Sequence, residues 1–151
     1  MDSIHLFLAH AVELERDSAR RYEELTESMR TDGNSEVEAY FRKMAKFSRK
    51  HLAVAVERGG FRDLPVLAPE EYSWPDNISP EQYNWAGVDG SIDVISALDF
   101  ALESERRGHA FYADIASTTE DHEVRVMASE FAAEEAEHVA ELEKWVSRYR
   151  A

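Results

Sequence analysis

Glu135-Ala136-Glu137-His138 sets a carboxylate and an imidazole three residues apart. On a helix, residues i and i+3 face the same way, so Glu135 and His138 could reach one cation together. Three more residues of ligating chemistry interrupt apolar helical stripes, namely Glu15, His51 and Glu105. A bare carboxylate in a helical core costs several kcal/mol even after relaxation, so it persists only when paired, protonated or bound to a cation. Three glutamates and two histidines together offer oxygen and nitrogen donors that suit a metal ion. His109 lies one turn beyond Glu105 on the same stripe and is a further candidate ligand. The plainer reading makes Glu135 and His138 part of a solvated acidic face with Glu130, Glu134, Glu137, Glu141 and Glu143. The register of Phe131 and Leu142 turns the pair inward instead.

These side chains can meet only if helices carry them to one place. Apolar residues recur at steps of three and four along four segments, which is the helical period. The first stripe runs from Ile4 through Leu8 and Tyr22 to Met29, with Asp2 or Ser3 as the cap. Gly33-Asn34 ends it, and Ser35 with Glu38 predicts a capping box for the second. That stripe passes through Val37, Phe41, Met44, Ser48, His51 and Ala55, and Gly59-Gly60 stops it. Ser91 is expected to open the third helix, with Leu98, Leu102, Glu105 and Tyr112 on one face. The turn Ser117 to Asp121 leads to the fourth, with Val124, Phe131, Glu135, His138 and Leu142 aligned.

The segment between the second and third helices holds all four prolines, Pro65, Pro69, Pro75 and Pro80. It also holds Phe61, Tyr72, Trp74, Tyr83 and Trp85, so it predicts an ordered crossover rather than a linker. Returning along a bundle ~30 Å long takes at least about nine extended residues. The fold expected is all-α, a four-helix bundle with a long crossover between helices two and three. The halves repeat: Leu8, Ala11, Glu15 and Tyr22 match Leu98, Ala101, Glu105 and Tyr112 at an offset of 90. Val37, Met44, Ser48 and His51 match Val124, Phe131, Glu135 and His138 at an offset of 87. Such a repeat implies a pseudo-twofold axis with paired side chains around it. Trp74, Trp85 and Trp145 read as packing residues, and His5, His10 and His122, near helix ends, as surface residues.

Composition narrows the chemistry further. The 151 residues include 17 Lys+Arg and 31 Asp+Glu, a net charge of −14, and no cysteine. That excess argues against nucleic acid and against anionic membrane surfaces as partners. Without cysteine there is no disulfide, thiolate-bound zinc or iron–sulfur cluster, and no cysteine nucleophile. No apolar run approaches the ~18–20 residues of a membrane span, and a basic signal-peptide region is absent at the start, so a cytoplasmic location is expected.

Carboxylate di-metal bundles draw one Glu from each of two helices and a Glu-x-x-His from each of the other two. The segments Glu15 to Tyr22, Phe41 to His51, Glu105 to Tyr112 and Phe131 to His138 follow that plan, so the chain resembles the ferritin-like superfamily and within it the rubrerythrin branch. The resemblance covers all four helices but not the crossover. It implies a single ferritin-like domain over residues 1–151, built as hairpin 2–58, crossover 59–90 and hairpin 91–149. It implies iron, one or two ions, with manganese or zinc as alternatives, held by Glu15, His51, Glu105, Glu135 and His138. It gives Tyr22 and Tyr112 the role of hydrogen-bonding the ligand carboxylates. Hydrogen peroxide or dioxygen would be the reactant, electrons would come from an external donor since no cysteine is present for a rubredoxin module, and the bundle would form a homodimer.

The chain departs from the family pattern at Ser48, where a second bridging Glu is expected. A mononuclear site, an asymmetric pair and a site without redox chemistry all fit that change. The leading expectation is a peroxide- or dioxygen-linked oxidoreductase. The alternatives are a non-catalytic metal-binding or storage protein and a structural bundle with a degenerate site.

Overall fold

Serine, asparagine and aspartate side chains begin the four long helices, each by accepting a backbone N–H that the first turn leaves unbonded. The computed structural model describes residues 1–60, 64–75 and 92–151. Helix α1 (Ile4–Asp32) starts where Ser3 Oγ accepts the Leu6 amide at 3.2 Å. Asp2 does not cap it; its carboxylate accepts from Thr119 Oγ1 and the Glu120 amide, tying the first residues to the far hairpin. Gly33 ends α1 in the left-handed region, φ 82, with Asn34 N–H bonded to Met29 and Gly33 N–H to Arg30. Only glycine takes that conformation without steric cost.

Helix α2 (Ser35–Gly59) is capped by Asn34, whose Oδ1 accepts the Val37 amide at 3.0 Å. The capping box expected from Ser35 and Glu38 does not form: Asn34 supplies the side-chain acceptor one residue earlier, Ser35 joins the helix, and Val37 now stands at the position where a reciprocal Glu would be needed. A methyl group on Gly59 would lie 2.9 Å from Leu64 Cδ1, so glycine there lets the Leu64 side chain pack against the end of α2. Helix α3 (Val94–Thr118) is capped by Asp93 and α4 (His122–Arg150) by Asp121. Ser91, expected to open α3, lies outside the described residues, as do Phe61, Tyr83 and Trp85.

The result is all-α. Helices α1 and α2 pack as one hairpin, α3 and α4 as the other, and α1 meets α3 and α4 across the bundle. The apolar core divides into two clusters. One holds Phe7, Leu8, Leu14, Tyr112 and Phe131. The other holds Tyr22, Phe41, Met44, Leu98 and Leu142. Glu15, His51, Glu105, Glu135 and His138 are buried residues of the stripes between these clusters. The acids and imidazoles thus form a polar belt across an otherwise apolar interior.

The described part of the crossover is held by a histidine. Ser73 N–H donates to His10 Nε2 and His10 Nδ1–H donates to the Leu6 carbonyl, both at 2.8 Å. The ring lies against Tyr72, Trp74 and Phe111. His10 is fully buried, a correction to its reading as a surface residue: the crossover covers a face of α1 that the helical stripe alone leaves open. We expect His10→Ala to lower unfolding free energy by about 2–4 kcal/mol, from the cavity and the orphaned Ser73 amide. Chemical denaturation checks this, and a loss below about 1 kcal/mol would mean the crossover docks without it.

Candidate metal centre

Each helix brings at least one polar side chain to the belt. Glu15 comes from α1, His51 from α2, Glu105 from α3, and Glu135 with His138 from α4. They form two groups, Glu15 with His51 and Glu135, and Glu105 with Glu135 and His138. In each, one donor atom per residue lies within 4.8 Å of the others. Glu135 belongs to both groups and sits between them. His51 Nδ1 is 3.4 Å from Glu15 Oε1, and His138 Nδ1 is 3.5 Å from Glu105 Oε2 and 3.9 Å from Glu135 Oε2.

The two tyrosines cross the pseudo-twofold axis. Tyr22 Oη donates to Glu105 Oε1 at 2.6 Å, and Tyr112 Oη donates to Glu15 Oε1 at 3.3 Å. Each half of the repeat thus orients a carboxylate of the other. Tyr22 occupies one oxygen of Glu105 and leaves the second facing His138. Phe47 closes over both imidazoles, with ring centroids 4.8 Å from His51 and 4.4 Å from His138, and Phe131 lies 5.3 Å from His51.

Ser48 and His109 are placed differently. Ser48 Oγ pairs with Ser18 Oγ at 2.9 Å in a buried contact between α2 and α1. A neutral hydroxyl pair thus fills the position that the repeat equates with Glu135. His109 is half-buried and its Nδ1 bonds the Ala132 carbonyl at 2.9 Å, so it belongs to neither group. Four residues beyond Glu105 means about 40° past one full turn, enough to turn it toward the α4 backbone.

One residue of the belt was not read from the stripe. Glu134 Oε2 lies directly against His51 Nε2, with the Glu134 side chain 41% exposed. The signal was present as a second glutamate before Glu135, but its position on the flank of α4 reads as solvated face.

Burial and neighbouring charges oppose one another in the belt. Burial would lower the His51 pKa, but the facing Glu15 and Glu134 carboxylates outweigh it and raise it. Burial likewise opposes charge on His138, and Glu105, Glu15 and Glu141 raise it. Burial would raise the Glu105 pKa, yet its contacts with Glu135, His138 and the Tyr22 hydroxyl hold it below the usual carboxylate range. For Glu134 burial prevails, and its pKa is raised. His10 shifts the other way, lowered by burial against the raising effect of its bond to Leu6.

These directions set a pH response. A histidine raised on folding stabilises fully below its unfolded value near 6.5, and that contribution is lost as pH rises through the folded value. Metal-free protein should therefore lose the His51 and His138 contributions above pH ~6.5, while the His10 contribution is lost as pH falls below it. Denaturation midpoints of metal-free protein across this range test the signs; a midpoint climbing steadily on the alkaline side would contradict them. Metal binding runs oppositely, since the imidazoles must be neutral to ligate.

The donor atoms fit a cation. His51 Nδ1, His138 Nδ1 and Glu105 Oε2 are buried without a hydrogen-bond partner. Leaving such atoms unsatisfied costs about 1–3 kcal/mol each, more when charged. A cation in each group would satisfy them, and imidazole with carboxylate is a donor set for iron, manganese or zinc.

The family model described as rubrerythrin matches residues 7–60, the hairpin that carries Glu15 and His51. The solved structure of an uncharacterised conserved protein from Magnetospirillum magnetotacticum MS-1 matches with a TM-score of 0.82 and 35% identity, over 97% of this chain and 95% of that one. None of the curated proteins matches. Among the described residues no helix is long and apolar enough to cross a membrane. A near-full-length relative, the rubrerythrin match on the first hairpin and the two-hairpin bundle agree: the chain belongs to the rubrerythrin family of ferritin-like four-helix bundles.

Proposed function

We propose that the protein is a non-haem iron protein that reduces hydrogen peroxide or dioxygen with electrons from an external donor. The observation that carries this reading is the pair of buried Glu/His groups sharing Glu135. Glu15 with His51, and Glu105 with His138, would each hold one ion, and Glu135 would join them. Bound iron would supply the redox chemistry. The chain's own contribution is positional. Tyr22 and Tyr112 hold their hydroxyl protons on carboxylate oxygens of Glu105 and Glu15, which fixes those side chains. Phe47 and Phe131 pack against the imidazoles and limit water around them. The absence of cysteine means that no thiolate-bound iron in this sequence relays electrons.

Ser48 favours a second reading, metal binding without turnover, because one carboxylate of the family pattern is missing. Reconstitution with iron(II), followed by peroxide consumption in the presence of a chemical reductant, separates the two. Consumption above the free-iron background supports the first. Bound iron with no consumption supports the second. Failure to bind iron, manganese or zinc would overturn both.

A further inference from the structure

We infer that Glu134 is a positioning residue for the His51 half of the centre, accepting the His51 Nε2 proton and so fixing Nδ1 as the donor atom toward Glu15 and Glu135. The inference rests on the metal-site reading above and deepens it. A neutral imidazole carries one N–H, and an ionised carboxylate can only accept. With Glu134 Oε2 against Nε2, the proton belongs on Nε2 and the lone pair on Nδ1. Nδ1 is the nitrogen that faces Glu15 at 3.4 Å. Carboxylates placed in this way fix the tautomer and ring orientation of metal-binding histidines.

The repeat shows why this residue differs from a solvated glutamate. At the offset of 87, Glu134 corresponds to Phe47. The two residues differ in what they do: Phe47 on α2 packs its ring on His138 of α4 and on His51 of its own helix, and Glu134 on α4 sets a carboxylate against His51 of α2. Among the described residues His138 has no carboxylate in the place that Glu134 takes beside His51. The asymmetry falls where it is needed. The half-site of His51 is the one whose own helix offers Ser48 instead of Glu, and the flank of α4 returns a negative charge to it. Neighbouring residues on a helix point about 100° apart, so Glu135 can enter the core while Glu134 reaches sideways to α2.

Zinc titration of the full chain against a chromophoric chelator tests this. The parent should bind two equivalents. Glu134→Ala should weaken one of them by about 10- to 100-fold and leave the other unchanged. Glu134→Gln, whose amide oxygen still accepts the Nε2 proton, should keep most of that affinity. Equal weakening of both equivalents, no weakening, or a Gln variant as weak as the Ala variant would overturn the inference, the last by making Glu134 a direct ligand. A second readout is independent of metal: ¹⁵N spectra of the metal-free protein, at a pH where His51 is neutral, should show the Nε2–H tautomer in the parent and a mixture in Glu134→Ala. The Nδ1–H tautomer in the parent would overturn it. If no zinc binds, the metal reading fails while the tautomer measurement still decides the role of Glu134.

Discussion

Glu135→Ala is expected to abolish metal binding in both halves of the centre at once. Glu135 is the one carboxylate common to the two Glu/His groups, whereas Glu15 and Glu105 each belong to one. Its loss should exceed the ~10- to 100-fold weakening typical of an outer-shell partner, and it should do so for both equivalents. Glu15→Ala and Glu105→Ala should each affect mainly one. The variant should stay folded without metal, since it loses a desolvated carboxylate rather than an apolar anchor. Metal content after iron(II) or zinc loading is the direct measurement. Thermal unfolding gives a second: a ligand at ~1,000 times its Kd adds about 4 kcal/mol to the parent, and that gain should vanish in the variant. Parent-like metal content in Glu135→Ala would refute the shared-ligand arrangement.

Ser48→Glu should produce the largest change in the metal-free protein. The substitution breaks the buried Ser18–Ser48 hydroxyl pair and adds a fifth carboxylate to a belt that already contains Glu15, Glu105, Glu134 and Glu135. A buried charge without a compensating partner costs several kcal/mol. Metal-free Ser48→Glu should therefore unfold at markedly lower denaturant than the parent. Metal should reverse this, because residue 48 corresponds to Glu135 in the repeat and a carboxylate there completes the donor set beside His51. The difference in stability between metal-free and metal-loaded protein should widen relative to the parent. Unchanged metal-free stability would show that residue 48 reaches solvent, and a metal-loaded form no more stable than the metal-free one would show that it does not face the centre.

Much of the centre was legible because helical periodicity is local. Glu135 and His138 share a face through i,i+3 spacing alone, and the matching offsets place Glu15 against Glu105 and Tyr22 against Tyr112. The tyrosine–carboxylate bonds that cross between the halves follow from that internal symmetry. Helix ends were less legible, since Asn34, Ser35 and Glu38 offer competing caps and only the backbone path at Gly33 selects Asn34.

From sequence alone come the four amphipathic helices, their pairing into two hairpins, and the five polar residues that interrupt the stripes. The 3.6-residue period determines these, because it states which side chains share a face of their own helix. It does not state how far each helix rotates about its axis against its neighbours, or what covers its flanks. His10, His109 and Glu134 all sit on such flanks. Tertiary packing buries His10 under Ser73 and Trp74, turns His109 to the Ala132 carbonyl, and brings Glu134 to His51.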